Sequence, residues 1–244
     1  MHLIEDLSTL TSDAVESIEK LTLRWVFQAV KDFGFDAYAV FRDSPDEVKD
    51  IAEDITREIL DRLAGYNIGQ RLLGNVDYRK MRYIILPEQV IRQALFADSK
   101  AEKTAATATM QMSQLSLCVH QERSGKTQSV AGHLRPIHVT SSGEQCLSTS
   151  VLLHYHYHDV PNGARLDHVL HKATLCVVPN GLLQAKYNPN AQDSIWRKGR
   201  NAPSRGEDFR VRLSFPALSQ KASWRVQSIE YDCESGSITA NWRD

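Results

Sequence analysis

The chain has 244 residues, enough for one large domain or two small ones, and 42% hydrophobic side chains, which support a real core. No run approaches the ~18–20 apolar residues of a membrane span, and the acidic opening MHLIEDLSTL lacks the basic start of a signal peptide. Four scattered cysteines (Cys118, Cys146, Cys176, Cys233) with no CxxC pair fit a reducing cytoplasm and argue against a zinc site.

Net charge is only −1, so the whole chain does not advertise a polyanionic partner. Its distribution says more. Residues 1–63 hold 7 basic and 15 acidic side chains, net −8, which leaves +7 for the remainder. The N-terminal part should face solvent or a partner subunit, and the rest can approach a polyanion.

Helical spacing of Val15, Ile18, Thr22, Trp25, Val26, Ala29, Val30 and Phe33 predicts a helix over Asp13–Phe33, capped through Asp13 and Glu16 and ended by Gly34. A short apolar run, Ala37 to Phe41, follows. Ser44-Pro45-Asp46-Glu47 reads as a second helix start: cap, proline, then glutamate at the third position. That helix should reach about Leu63 with the stripe Val48, Ile51, Ala52, Ile55 and Ile59. Glu53 is a tempting metal ligand from a helix, but it lies about a third of a turn off the stripe centre and reads more plainly as a solvated charge.

The stretch from Asp77 to Lys100 carries the chemistry. Met81–Leu86 and Gln89–Ala97 read as strands broken at Pro87-Glu88. Paired as a ribbon, they would return Asp77 to the neighbourhood of Asp98. Period-two alternation puts Asp98 and Lys100 on one face. Two carboxylates and an ammonium would then meet at the frayed end of a buried sheet. Two carboxylate oxygens suit a hard divalent cation such as Mg²⁺, which acts on phosphoryl oxygen as a Lewis acid. The lysine can orient or deprotonate a water and offset charge on a phosphate. This is the constellation of the PD-(D/E)xK nucleases, with Val76 in the proline position. The bare pattern is weak. Glu47-Val48-Lys49 also matches it, at a helix start and without a partner acid. A charged strand end with a surface salt bridge is the plainer account of Asp98-Ser99-Lys100. The apolar strand leading into it favours the catalytic one.

Beyond Lys100, residues 101–121 read as a helix whose Lys103, Gln111, Ser113 and Gln114 could reach DNA, although a solvated helix face is the plainer expectation. Residues 121–146 look like loop. Ser124-Gly125-Lys126-Thr127 mimics the end of a P-loop, but His120 stands where the motif needs glycine, which excludes an ATPase. Ser150–His158 alternates strongly as a strand, with Leu152, His154, His156 and His158 on one face. Same-face neighbours ~6.6–7 Å apart are awkward ligands for one metal, so a half-exposed strand is expected instead of a zinc site. Val169–Val178 should be a strand and Leu182–Tyr187 a short helix. In Trp196–Arg212, six cations (Arg197, Lys198, Arg200, Arg205, Arg210, Arg212) face only Glu207 and Asp208. Its first half reads as a loop and Phe209–Phe215 as a strand. Arginine there suits guanine in the major groove, and lysine suits phosphate; a solvated basic loop is the bland alternative. Trp224–Tyr231 and Ser237–Trp242 close the chain as strands.

The chain resembles the SfiI-type family of type II restriction endonucleases, whose structural relatives include BglI. The resemblance is carried by SIEKLTLR (Ser17–Arg24), AEDIT (Ala52–Thr56), Asp77-Tyr78, Asp98-Ser99-Lys100, SQL (Ser113–Leu115), YNP (Tyr187–Pro189), PSRGEDFRVR (Pro203–Arg212) and WRD (Trp242–Asp244). It implies an α/β restriction-endonuclease-like fold: a central mixed sheet flanked by helices, with extra β elements in the C-terminal half. One domain over 1–244 is expected, helical over 1–66, catalytic over about 67–120 and β-rich and DNA-reading over about 147–244. The implied activity is that of a type II site-specific deoxyribonuclease cutting both strands of duplex DNA at a GC-rich interrupted palindrome. By match to the motif, Asp77, Asp98 and the Ser99 carbonyl hold Mg²⁺ and Lys100 activates water; Mn²⁺ would substitute, and Ca²⁺ would bind without supporting cleavage. A two-fold site implies at least a homodimer, and relatives also form tetramers. A cytoplasmic prokaryotic location follows from the resemblance alone. A repair or recombination nuclease with the same core, or a non-catalytic DNA-binding protein, remains the alternative.

Overall fold

The computed structural model describes residue 4 and residues 6–44, 47–63, 81–86, 91–103, 108–112, 119–123, 126–130, 136–140, 142–198, 211–232 and 234–244. Three helices come first. Helix α1 (Ser12–Asp32) is capped by Thr11, whose Oγ1 accepts the Ala14 amide at 3.2 Å. The cap therefore precedes the predicted Asp13 and Glu16. Helix α2 (Gly34–Asp43) follows at once and takes in the apolar run 37–41. Gly34 opens this helix. A Cβ there would lie 2.5 Å from Ile238 Cδ1, so a larger residue would force the Ile238 side chain of the C-terminal strand to shift. Helix α3 (Val48–Arg62) starts at Val48, with Pro45 and Asp46 outside the described residues, and buries Ile51, Ala52, Ile55, Ile59 and Leu60.

The strands are β1 (Met81–Leu86), β2 (Ile91–Glu102), β3 (Thr109–Met112), β4 (Val119–Arg123), β5 (Lys126–Val130), β6 (Ile137–Val139), β7 (Gln145–Asn162), β8 (Arg165–Val178), β9 (Trp196–Lys198), β10 (Val211–Ser214), β11 (Val226–Asp232) and β12 (Ser237–Ala240). A short helix α4 (Gln184–Tyr187) follows β8, and α5 (Phe215–Lys221) follows β10. The main sheet runs β1-β2-β7-β8-β11-β12, with β6 also on β7. Among the described strands only β2 and β7 pair in parallel, so the sheet is mixed. A second sheet, β3-β10-β9, and the hairpin β4-β5 stand beside it.

Three expectations are corrected. The described parts of 101–121 are not helical: β2 runs on through Glu102, and β3 and β4 follow. Threonines are costly in a helix and fit a pleated surface, and β3 finds its partner in β10, about a hundred residues away. The segment 121–146 holds β5 and β6 as well as loop. Trp196–Lys198 is a strand against β10, and Phe215 starts a helix behind the Ser214 cap.

One core lies between the helices and the sheet, where Val151, Leu153, Tyr155 and Tyr157 of β7 meet Leu95, Leu175, Val177, Phe27, Phe41 and Ile55. A second gathers Leu152, Cys176 and Val178 with Met110, Trp196, Leu213, Phe215 and Leu218. It ties the small sheet and α5 to the main sheet. No helix among the described residues is long and apolar enough to cross a membrane.

Candidate active site

Asp98, Ser99 and Lys100 lie inside β2, four to two residues before its end, and not at a frayed terminus. The ladder to β7 holds them: Asp98 lies opposite Leu152, Lys100 opposite His154 and Glu102 opposite His156. Ala97 and Ala101 turn toward the helical layer. Alternation then places Asp98, Lys100 and Glu102 on the other face. Lys100 Nζ is 3.4 Å from Asp98 Oδ2, and both side chains are half-exposed. Asp98 Oδ1 accepts the Ser99 amide at 3.0 Å, while Ser99 itself is buried. A half-exposed carboxylate steadied by its own strand is a fitting hard-oxygen donor for a divalent cation. Among the described residues, no three His, Cys, Asp or Glu side chains converge to hold a metal.

The ribbon expected before the site is present, with β1 and β2 antiparallel from Met81–Phe96 to Leu86–Ile91. Its other acid, Asp77, lies outside the described residues, as do Arg200, Arg205, Arg210 and the Lys198 side chain. Glu53 is half-buried on α3, on the opposite face of β2 from Asp98 and Lys100. Lys103 is no helix-face residue: its Nζ pairs with Asp159 at 2.6 Å, which pins the end of β2 to the β7–β8 hairpin and raises the lysine above its usual range.

The histidine stripe differs from expectation in its burial. His158 is exposed, but His154 and His156 are 0% and 3% exposed, with ring centroids 4.1 Å apart. His156 Nε2 lies 3.4 Å from Thr174 Oγ1. The His154 ring has no hydrogen-bond partner among the described residues, and Nε2 stands 3.5 Å from Glu102 Oε2. Burial, helped by His156, Arg212 and Lys100, pushes His154 down to about 3, so it is neutral even beside that carboxylate.

Arg212 on β10 and Arg197 on β9 are directly opposed. Arg212 donates from Nε to Thr109 Oγ1 (2.7 Å) and from Nη2 to the Thr109 carbonyl (2.8 Å), and Nη2 lies 3.6 Å from Glu102 Oε1. Arg197 Nη1 donates to the carbonyls of Ser194 (2.7 Å) and Trp196 (3.0 Å). Glu102, His154 and Thr109 were not singled out as site residues from the sequence. The period-two run Asp98-x-Lys100-x-Glu102 carried the signal for Glu102; no sequence signal announced Thr109.

Comparison with known proteins decides the family. The family described as "Type II restriction enzyme SfiI" matches residues 32–229. The chain belongs to the SfiI family of type II restriction enzymes. It is 30% identical to SfiI of Streptomyces fimbriatus over 254 residues, covering 100% of this chain and 94% of that protein. The crystal structure of tetrameric SfiI bound to cognate DNA superposes with TM-score 0.84 at 28% identity, covering 100% of this chain and 94% of that one. BglI bound to its DNA recognition sequence shares the fold, with TM-score 0.72 at 15% identity, covering 89% of this chain and 91% of that one.

Several stretches that carry the SfiI-family resemblance are structural. Glu19 of SIEKLTLR is fully buried and accepts from the Asn180 amide and Arg225 Nη2, both at 2.7 Å. Burial pushes its carboxyl up and Arg225 pulls it back. The Arg225 guanidinium is sandwiched by Tyr187 of YNP (4.4 Å) and Trp224 (4.3 Å). In AEDIT, Thr56 Oγ1 meets the Tyr155 hydroxyl at 3.2 Å. The closing WRD packs Trp242 on Phe27 and Arg24 and joins Asp244 to Lys20.

Proposed function

We propose that this protein hydrolyses phosphodiester bonds in both strands of duplex DNA at a specific, GC-rich interrupted palindrome, using Mg²⁺, as a homodimer or tetramer. One observation carries the reading: in an SfiI-family chain, Asp98 and Lys100 stand 3.4 Å apart on one half-exposed strand face. Asp98, with Asp77 and the Ser99 carbonyl, would hold the cation, which supplies Lewis acidity toward the scissile phosphate. Lys100 Nζ orients the attacking water and offsets phosphate charge. Arg197, Lys198, Arg200, Arg205 and Arg210 approach the duplex. Arg212 belongs to the same basic stretch, and reading a base directly would require it to release Thr109. A partner related by a two-fold axis presents the second strand to a second copy of the site.

Digestion of plasmid DNA with Mg²⁺ tests this reading. Discrete fragments are expected. A smear or a preference for branched DNA would point to a repair nuclease, and absence of cutting to a binding protein.

A further inference from the structure

Resting on the nuclease reading above, we propose that Glu102 is a positioning residue that couples the DNA-approaching β3-β10-β9 sheet to the strand carrying Lys100. The Glu102 carboxylate pairs with Arg212 on one side and abuts the neutral His154 ring on the other. Oε1 lies 3.6 Å from Arg212 Nη2 and Oε2 lies 3.5 Å from His154 Nε2. Each partner belongs to a different structural layer. Arg212 sits in the middle strand of the small sheet, between β3 and β9, with Thr109 fixing its Nε and Nη2. His154 sits in the main sheet directly opposite Lys100. Glu102 itself is two residues from Lys100 on the same strand face. A displacement of the basic stretch thus passes through Arg212 to Glu102, and from there to the backbone that aims Lys100.

Two other accounts of Glu102 fit less well. As a third cation ligand it is too far from Asp98, since four residues of strand span roughly 13 Å. As a surface salt bridge it would contribute little, yet its ion-pair partner Arg212 is only 22% exposed and the neighbouring neutral histidine is wholly buried.

The test is single-turnover cleavage with Glu102→Gln, using a synthetic duplex bearing the enzyme's own site and duplexes differing from it by one base pair. Binding to the cognate duplex in Ca²⁺ should stay within about 3-fold of wild type, because no basic residue is replaced and Thr109 still holds Arg212. The cleavage rate on cognate DNA should fall about 10–100-fold, and by less on the altered duplexes, so discrimination narrows. The double variant Glu102→Gln/Arg212→Lys should be no slower than the slower single variant, as expected for residues acting through one contact. If Glu102→Gln does not fold, Thr109→Val replaces it: it loosens Arg212 away from the catalytic strand and should show the same separation of binding from cleavage. Wild-type rate and discrimination in the folded variant, or simple multiplication of the two single effects, would overturn the proposal while leaving the nuclease reading intact. A wild-type protein that cuts no DNA overturns both.

Discussion

His154 offers a measurement in which burial is the largest cause of the effect. Its ordinary value of 6.5 is lowered to about 3 in the folded protein. The unfolded chain therefore binds a proton below pH 6.5 that the folded chain refuses. Stability from this group is fully present above pH 6.5 and drains away as pH falls toward 3. Each pH unit in that window costs about 1.4 kcal/mol, so 1.5 units, from 6.5 to 5.0, cost about 2 kcal/mol. The figure requires only that the folded value lie below 5. The His154 side chain is 0% exposed, so solvent screening does not reduce it. The perturbation is His154→Gln, which keeps a polar side chain but cannot titrate. Urea unfolding in EDTA at pH 7.5 and pH 5.0 supplies the free energies. Wild type should lose about 2 kcal/mol more than the variant over that interval. Equal losses would show that His154 takes up its proton in the folded state and that its burial does not govern it.

Three more outcomes are expected. Asp98→Ala or Lys100→Ala should abolish cutting yet keep a sequence-specific gel shift; normal cleavage by either variant refutes the site assignment. Arg210→Ala should weaken specific binding by ~1–3 kcal/mol per lost base contact, and an unchanged ratio of specific to nonspecific affinity would move base reading elsewhere. Arg225→Ala leaves Glu19 buried without its counter-ion and should cost about 3–5 kcal/mol in urea unfolding; a cost below about 1 kcal/mol would mean that water or another group reaches Glu19.

The sequence alone determined the parts whose physics is local. The stripes of α1 and α3 repeat with the pitch of a helix, and β7 alternates with the pleat of a strand, so one apolar face per element could be read directly. Asp98 and Lys100 could be placed on one face because two residues of strand return a side chain to the same side. Tertiary structure decided whatever depends on a distant partner. The threonine- and alanine-rich stretch after Lys100 looks helical in isolation, but β10 supplies an edge that captures its described portion as β3. His154 and His156 read as half-exposed until the second apolar cluster closes around their strand. Glu102 and Arg212 stand 110 residues apart in the chain, and only the docking of the small sheet on the main one makes them neighbours. Periodicity reports which way a side chain points; what covers it there is settled by the elements that pack against it.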